Sequence, residues 1–272
     1  MLRRSLARSS AILLSLGVLA AAACARFDPD PAPAPTPVPK VAFSDITLEE
    51  TGGIDGRHNV LLVRTDGVAI SMSWEPSAGQ LSPDTVTRLR TLLESEQFRI
   101  EVARGGEPES PQCSDQVTMR LVMGPLAIGR TGPCPTGTAP TPAFDEILRI
   151  LSTPLRGEFD RPVPGGDPRL VPIRLEVQAV AGKPAHVITV DARGRATKTM
   201  RGATPVRRTL ETSQQDTLRL LLDRLQSGPP VECAKPGRYR AVIQGKTTVT
   251  VSECDYFYNQ PELRAVVNLL EW

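Results

Sequence analysis

The stretch VLLVRTDGVA, residues 60–69, places two apolar runs on either side of an Asp-Gly step. Alternating apolar strands around such a step predict a β-hairpin, because glycine supplies the positive φ that the tight turn needs. A second stretch, VITVDARGRA at residues 187–196, falls on the first at an offset of 127 residues. Val60, Val63, Gly67 and Ala69 then meet Val187, Val190, Gly194 and Ala196. The step DARG does the work of RTDG less ideally.

The match extends outward in both directions, so that residues 46–151 can be laid over 173–270. At an offset of 129, Leu81, Leu89, Leu92 and Leu93 meet Leu210, Leu218, Leu221 and Leu222. Cys113 and Cys134 meet Cys233 and Cys254 at 120, and Pro142, Ile147, Leu148 and Leu151 meet Pro261, Val266, Val267 and Leu270 at 119. The offset changes only in loop-like stretches, as diverged copies of one unit require.

Each copy reads the same way. Extended runs (Ile46 to Glu50, Asn59 to Arg64, Val68 to Ser73 in the first) lead into a helix within LSPDTVTRLRTLLESEQF. There Ser82 is the expected N-cap, Pro83 suits the first helical position and Asp84 complements the dipole. Val86, Leu89, Leu92 and Leu93 form its apolar face; the second copy uses Ser213 as cap candidate and Leu218, Leu221, Leu222 and Leu225 as its stripe. Arg88, Arg90, Arg219 and Arg224 fall on the solvated side. A hairpin comes next, and a second helix closes each copy, with Phe144, Ile147, Leu148 and Leu151 or Leu263, Val266, Val267 and Leu270 at i, i+3, i+4, i+7. The fold class expected is α+β: two tandem copies of a small antiparallel-sheet domain, each with two helices and one disulfide.

The closing hairpin carries the cysteines. In CAKPGRYRAVIQGKTTVTVSEC, residues 233–254, β-rich runs flank Gln244-Gly245 at the midpoint, and Met123-Gly124-Pro125 stands midway between Cys113 and Cys134. Cysteines equidistant from a turn fall opposite each other at the open end of the hairpin, within disulfide reach. The expected pairs are Cys113 with Cys134 and Cys233 with Cys254. Closing a loop of this size stabilises a small domain by roughly 3 kcal/mol in the chain-entropy picture.

The chain opens MLRRSLARSSAILLSLGVLAAAAC, with Arg3, Arg4 and Arg8 before an apolar core, Ala11 to Leu19, that is too short to span a bilayer. This order is that of an export signal, and in an exported chain an even number of remaining cysteines favours disulfides. Behind Cys24, ARFDPDPAPAPTPVPK is proline-rich and reads as an extended, semi-rigid tether. The stretch LAAAAC resembles the lipobox of bacterial lipoproteins, with Ala21 where leucine is usual. That resemblance implies a diacylglyceryl group on Cys24 and a membrane partner reached through an N-terminal lipid; the alternative is ordinary cleavage after Ala23 or Ala25, giving a secreted or periplasmic soluble protein. The resulting organisation is a signal peptide (1–23), a tether (24–42), a first repeat (43–152), a Pro/Gly-rich linker (153–171) and a second repeat (172–272).

Three of the 32 Lys and Arg lie in the leader, which leaves the rest near balance with the 30 Asp and Glu. Nucleic-acid binding, which needs a basic stripe, is not expected. Catalytic motifs of the types G-x-S-x-G, H-E-x-x-H and G-x-x-x-x-G-K-[ST] do not occur. The two histidines, His58 and His186, stand near equivalent positions without a carboxylate or cysteine at ligand spacing, so neither a metal nor another cofactor is expected. TGGIDG, residues 51–56, reads as a strand-connecting turn, since no helix follows it to hold an anion. Tyr256, Phe257 and Tyr258 are candidate partner contacts, or else core residues beside the disulfide.

The segment ITLEETGGIDGRHNVLLVRTDG through LSPDTVTRLRTLL, residues 46–93, resembles the opening of emfourin-like proteins in its Gly-Gly-x-x-Gly turn, strand pair and leucine-rich helix. These are small bacterial inhibitors of thermolysin-like metalloproteases, and the resemblance implies inhibitory binding. The reading that follows is a non-enzymatic, lipid-anchored protein of the bacterial cell envelope, on the extracytoplasmic side, that binds an envelope or extracellular protein. The rival is an exported hydrolase with a site between the two domains, its histidines as the residues to substitute; a purely structural envelope protein is the third reading.

Overall fold

The computed structural model describes residues 42–53, 56–105, 116–132, 141–164, 170–179, 183–227, 239–243, 247–251 and 261–272. The first half runs β1 (Ile46–Gly52), β2 (Arg57–Val63), β3 (Val68–Ser71), β4 (Ser77–Gln80), α1 (Pro83–Leu93), α2 (Glu96–Gly105), β5 (Val117–Met123), β6 (Leu126–Thr131) and α3 (Pro142–Leu155). The second runs β7 (Ile173–Val177), β8 (His186–Val190), β9 (Arg195–Met200), β10 (Val206–Thr209), α4 (Thr212–Ser227), β11 (Tyr239–Ile243), β12 (Thr247–Val251) and α5 (Pro261–Leu270). The fold is α+β, with two six-stranded antiparallel sheets ordered β4-β3-β2-β1-β5-β6 and β10-β9-β8-β7-β11-β12.

Strand order agrees between the sheets, and so does register except at the closing hairpin, where Met123 pairs with Leu126 but Ile243 with Thr247. Ile46 lies opposite Val63 and Met123, and Ile173 lies opposite Val190 and Ile243. At the far edge, Ala69 faces Gly79 and Ala196 faces Arg208. These pairs reproduce the 127-, 120- and 129-residue offsets found in the sequence.

The opening hairpin explains part of that agreement. Gly67 (φ 83°) and Gly194 (φ 73°) occupy the left-handed region at the end of each turn. Arg64 N donates to Val68 O at 2.8 Å, and Asp191 N to Arg195 O at 3.1 Å. Each glycine carbonyl then accepts from the residue ahead of the next helix, Leu81 N or Leu210 N, at 2.9 Å in both halves. The turn sits so close to that helix that a Cβ on Gly194 would lie 2.5 Å from Gln215 Cδ. One backbone hydrogen bond therefore ties each hairpin turn to the start of the following helix, with side chains packed around it.

Ser82 caps α1 as expected, its Oγ accepting from Thr85 N at 3.2 Å ahead of Pro83. At α4 the cap differs from expectation. The helix already includes Ser213, and Glu211 precedes its first residue, donating its N–H to Gln214 Oε1 at 3.1 Å. This is the return half of a capping box. The helix count is also corrected: the first half has three helices rather than two. Ser95 breaks the expected continuous helix, its Oγ accepting from Phe98 N at 3.1 Å and starting α2.

The layers follow from the two faces of each sheet. One face of the first sheet, including Ile46, Leu48, Leu61, Val63 and Leu121, packs on α1, α2 and α3. Its other face, Val60, Leu62, Val68, Ile70 and Met72, joins a second core with α4, α5 and the inner face of the second sheet. Helices α4 and α5 therefore lie between the two sheets. Burial follows from this: in α5, Leu263, Ala265, Val266, Val267, Leu269 and Leu270 are all buried, as a helix covered on all sides requires. Arg264 of α5 is buried with them and donates Nη2 to Met72 O at 3.1 Å and to His58 O on the first sheet. Part of the expected linker packs against the first sheet: Gln80 and Arg161 exchange backbone hydrogen bonds along β4, covering an otherwise open edge.

Candidate functional site

Among the described residues, no helix covers the outer face of the second sheet. Alternation along each strand decides which side chains stand there. In β7, Ile173, Leu175 and Val177 point into the core while Arg174 is exposed and Glu176 half-buried. In β8 and β9, Ile188, Val190 and Ala196 point inward, and Thr189 and Thr197 stand on the opposite side. Pairing then sets Val242, Arg174, Thr189, Thr197 and Arg207 side by side in one row across β11, β7, β8, β9 and β10. This row crosses an open hollow of about 1090 Å³.

The charges around it are ordered. Arg174 Nε donates to Glu176 Oε1 at 2.8 Å. Arg195 Nε donates to Asp191 Oδ2 at 2.6 Å, and Asp191 Oδ1 accepts from Arg193 N at 2.8 Å and Arg195 N at 3.0 Å. Burial pushes the Asp191 carboxyl up, but these N–H groups and the Arg195 guanidinium outweigh it and hold the carboxyl below its ordinary value. Arg207, on edge strand β10, is exposed, with no carboxylate recorded against it among the described residues. Arg208 points to the core side of the same strand, where its guanidinium stacks 3.9 Å from the Trp272 ring and donates to Leu269 O at 2.6 Å. Desolvation lowers its pKa. Hydroxyls and guanidinium groups line the hollow.

The equivalent face of the first sheet is the one covered by α4 and α5. Leu62, Val68, Ile70 and Met72 there correspond to Thr189, Arg195, Thr197 and Thr199 here, at the same offset of 127. The signal for this face lay in the mismatches between the two halves, which the matching residues alone do not reveal.

The residues singled out in the sequence fall elsewhere. The side chain of His186 is 8% exposed, with Nε2 3.2 Å from Glu271 Oε1 and Nδ1 3.2 Å from Pro184 O, so it ties β8 to the end of α5. His58 lies in β2 opposite Thr51, and its carbonyl accepts from Arg264. Among the described residues no group of three His, Cys, Asp or Glu is placed to hold a metal ion. TGGIDG connects β1 to β2, with Gly53 N donating to Gln116 O at 2.8 Å. Cys24, Cys113, Cys134, Cys233, Cys254, Tyr256, Phe257 and Tyr258 lie outside the described residues. No helix among the described residues is long and apolar enough to cross a membrane. Compared with protein-family models, with curated proteins and with solved structures, the chain matches none.

Proposed function

We propose that the protein is a lipid-anchored component of the bacterial cell envelope with a non-enzymatic binding role, held off the membrane by the proline-rich tether after Cys24. The observation that carries the reading is the leader ending in LAAAAC directly ahead of ARFDPDPAPAPTPVPK. The described site is consistent with recognition: guanidinium and hydroxyl donors stand in a row on an open sheet face. Inhibition of a protease partner is the form of binding that the resemblance of residues 46–93 favours.

Within this proposal the two halves are tandem copies, each clamped by a disulfide, Cys113 with Cys134 and Cys233 with Cys254. Identical strand order, with register that agrees outside the closing hairpin, supports the duplication. The pairing rests on the two cysteines of each half flanking the closing hairpin in sequence. The first cysteine of each pair stands five or six residues before the outermost described strand pair (Thr118 with Thr131, Tyr239 with Val251), and the second stands three residues after it.

Mass spectrometry of the protein from a bacterial membrane fraction, digested without reduction, tests the covalent part. The expected products are a diacylated N-terminal peptide beginning at Cys24 and two linked peptides, one per half. An unmodified Cys24, or a bridge from Cys113 to either second-half cysteine, overturns the corresponding claim. For the binding role, the expected outcome is capture of one specific partner from envelope extract with no turnover of peptide, ester or glycan panels; hydrolysis lost on substituting His58 or His186 would establish an enzyme instead.

A further inference from the structure

The outer face of the second sheet combines features that specify a ligand class. Antiparallel sheets often leave one face to water, but that role asks only for polar residues. Here the polar residues form one in-register row with guanidinium groups near its ends and threonine hydroxyls between them. Arg195 holds the Asp191 carboxylate, Arg174 gives only its Nε to Glu176 and keeps its two Nη groups for a further acceptor, and Arg207 presents its fork at the edge of the hollow. Guanidinium recognises carboxylate through paired, planar hydrogen bonds. The charge points to an acidic ligand, and the spacing of the guanidinium groups to an extended polypeptide.

Geometry sets its spacing. Arg174 and Arg207 stand on β7 and β10, three strand spacings apart, about 14 Å at the usual inter-strand distance. In an extended peptide, residues i and i+4 share a face and are separated by about 13–14 Å. We infer that the outer face of the second sheet docks an extended, acidic segment of a partner protein, laid across β7 to β10 with carboxylates four residues apart reaching Arg174 and Arg207. The inference deepens the proposed binding role and rests on it for the existence of a protein partner.

Fluorescence anisotropy with the full chain in detergent micelles tests it directly. The probe is a labelled heptapeptide of alternating threonine and valine with glutamate at its second and sixth positions. Controls carry glutamine there, or glutamate at the second and fifth. The glutamate i, i+4 peptide is expected to bind the tightest of the three, more weakly at high salt, and about tenfold more weakly to Arg207→Glu, where attraction becomes like-charge repulsion. Arg156→Glu, an exposed arginine of the first half, leaves binding unchanged. The variants are compared at equal thermal stability, so misfolding is read separately.

Equal binding of the glutamine peptide, or indifference of the glutamate peptide to Arg207→Glu, overturns the inference. Inorganic polyphosphate binding more tightly than the peptide, and sensitive to Arg207→Glu, also overturns it by assigning the face to phosphate. The broader reading fails on a different result: if the unmodified chain captures no partner, the binding role falls. If capture by Arg207→Glu equals that of the unmodified chain, the role stands and this face is not its seat.

Discussion

Asp191 illustrates how much one side chain of the second hairpin does. Its carboxylate closes the turn by accepting two backbone N–H groups and also holds Arg195 at the edge of the hollow. A carboxyl whose folded-state pKa is depressed stabilises the fold above its unfolded pKa and loses that contribution as pH falls through the folded value. Asp191→Asn should therefore lower stability most above about pH 5, and the gap to the unmodified protein should shrink as pH falls below about 4, through the usual Asp range. Urea unfolding at a series of pH values measures this; a gap that widens on acidification would contradict it. On the first half's surface, the Arg149 side chain, with Arg88 beside it, holds the Glu146 carboxyl below its ordinary value. Both arginines are exposed there, so the pairs are screened by solvent and add little.

At the scale of elements, α2 has a specific task. Its buried Glu101 lies 2% exposed and accepts from Ala143 N at 3.0 Å and Phe144 N at 2.8 Å, so one carboxylate satisfies two open N–H groups of α3. Thr141 at that helix's start makes no side-chain cap. Glu101→Ala leaves both donors buried and unpaired and should cost about 2–3 kcal/mol. Glu101→Gln, which retains one acceptor oxygen, should cost less, and denaturant midpoints would rank the two. The second half has no equivalent of α2 among its described elements.

Element by element, the hairpins and the first-helix cap were legible because each rests on local chemistry: Gly67 and Gly194 at positive φ, Ser82 ahead of Pro83. The break at Ser95 was not, since ESEQF continues a run of residues that helices accept and only the Ser95 side-chain bond reveals the restart. The row from Arg174 to Arg207 was hidden for another reason. Strand alternation marks which residues face away from the core, but whether that outer face is buried depends on what packs there. In the first sheet it is α4 and α5, more than a hundred residues along the chain.

For the whole molecule, the consequence is cooperativity between the halves. Val60, Leu62, Val68, Ile70 and Met72 are nearly dry only because α4 and α5 cover them. Burying each such side chain contributes about 1.5–3 kcal/mol, an upper estimate given residual burial in the unfolded chain. Residues 43–152 made alone should expose this apolar face, bind a hydrophobic dye strongly and aggregate, whereas the full chain should unfold in one transition. A monomeric first half with dispersed amide resonances and no dye binding would contradict the shared core.

The position of α5 also bears on the order in which the molecule can be completed. Its residues, 261 to 270, are synthesised long after the sheet whose back they close, since the first strand of that sheet begins at residue 46. Until that helix arrives, the earlier half keeps an uncovered apolar surface, and the guanidinium of Arg264 cannot reach the carbonyls of His58 and Met72. The first sheet is thus completed late: a polypeptide truncated anywhere before α5 carries an exposed mark of its own incompleteness.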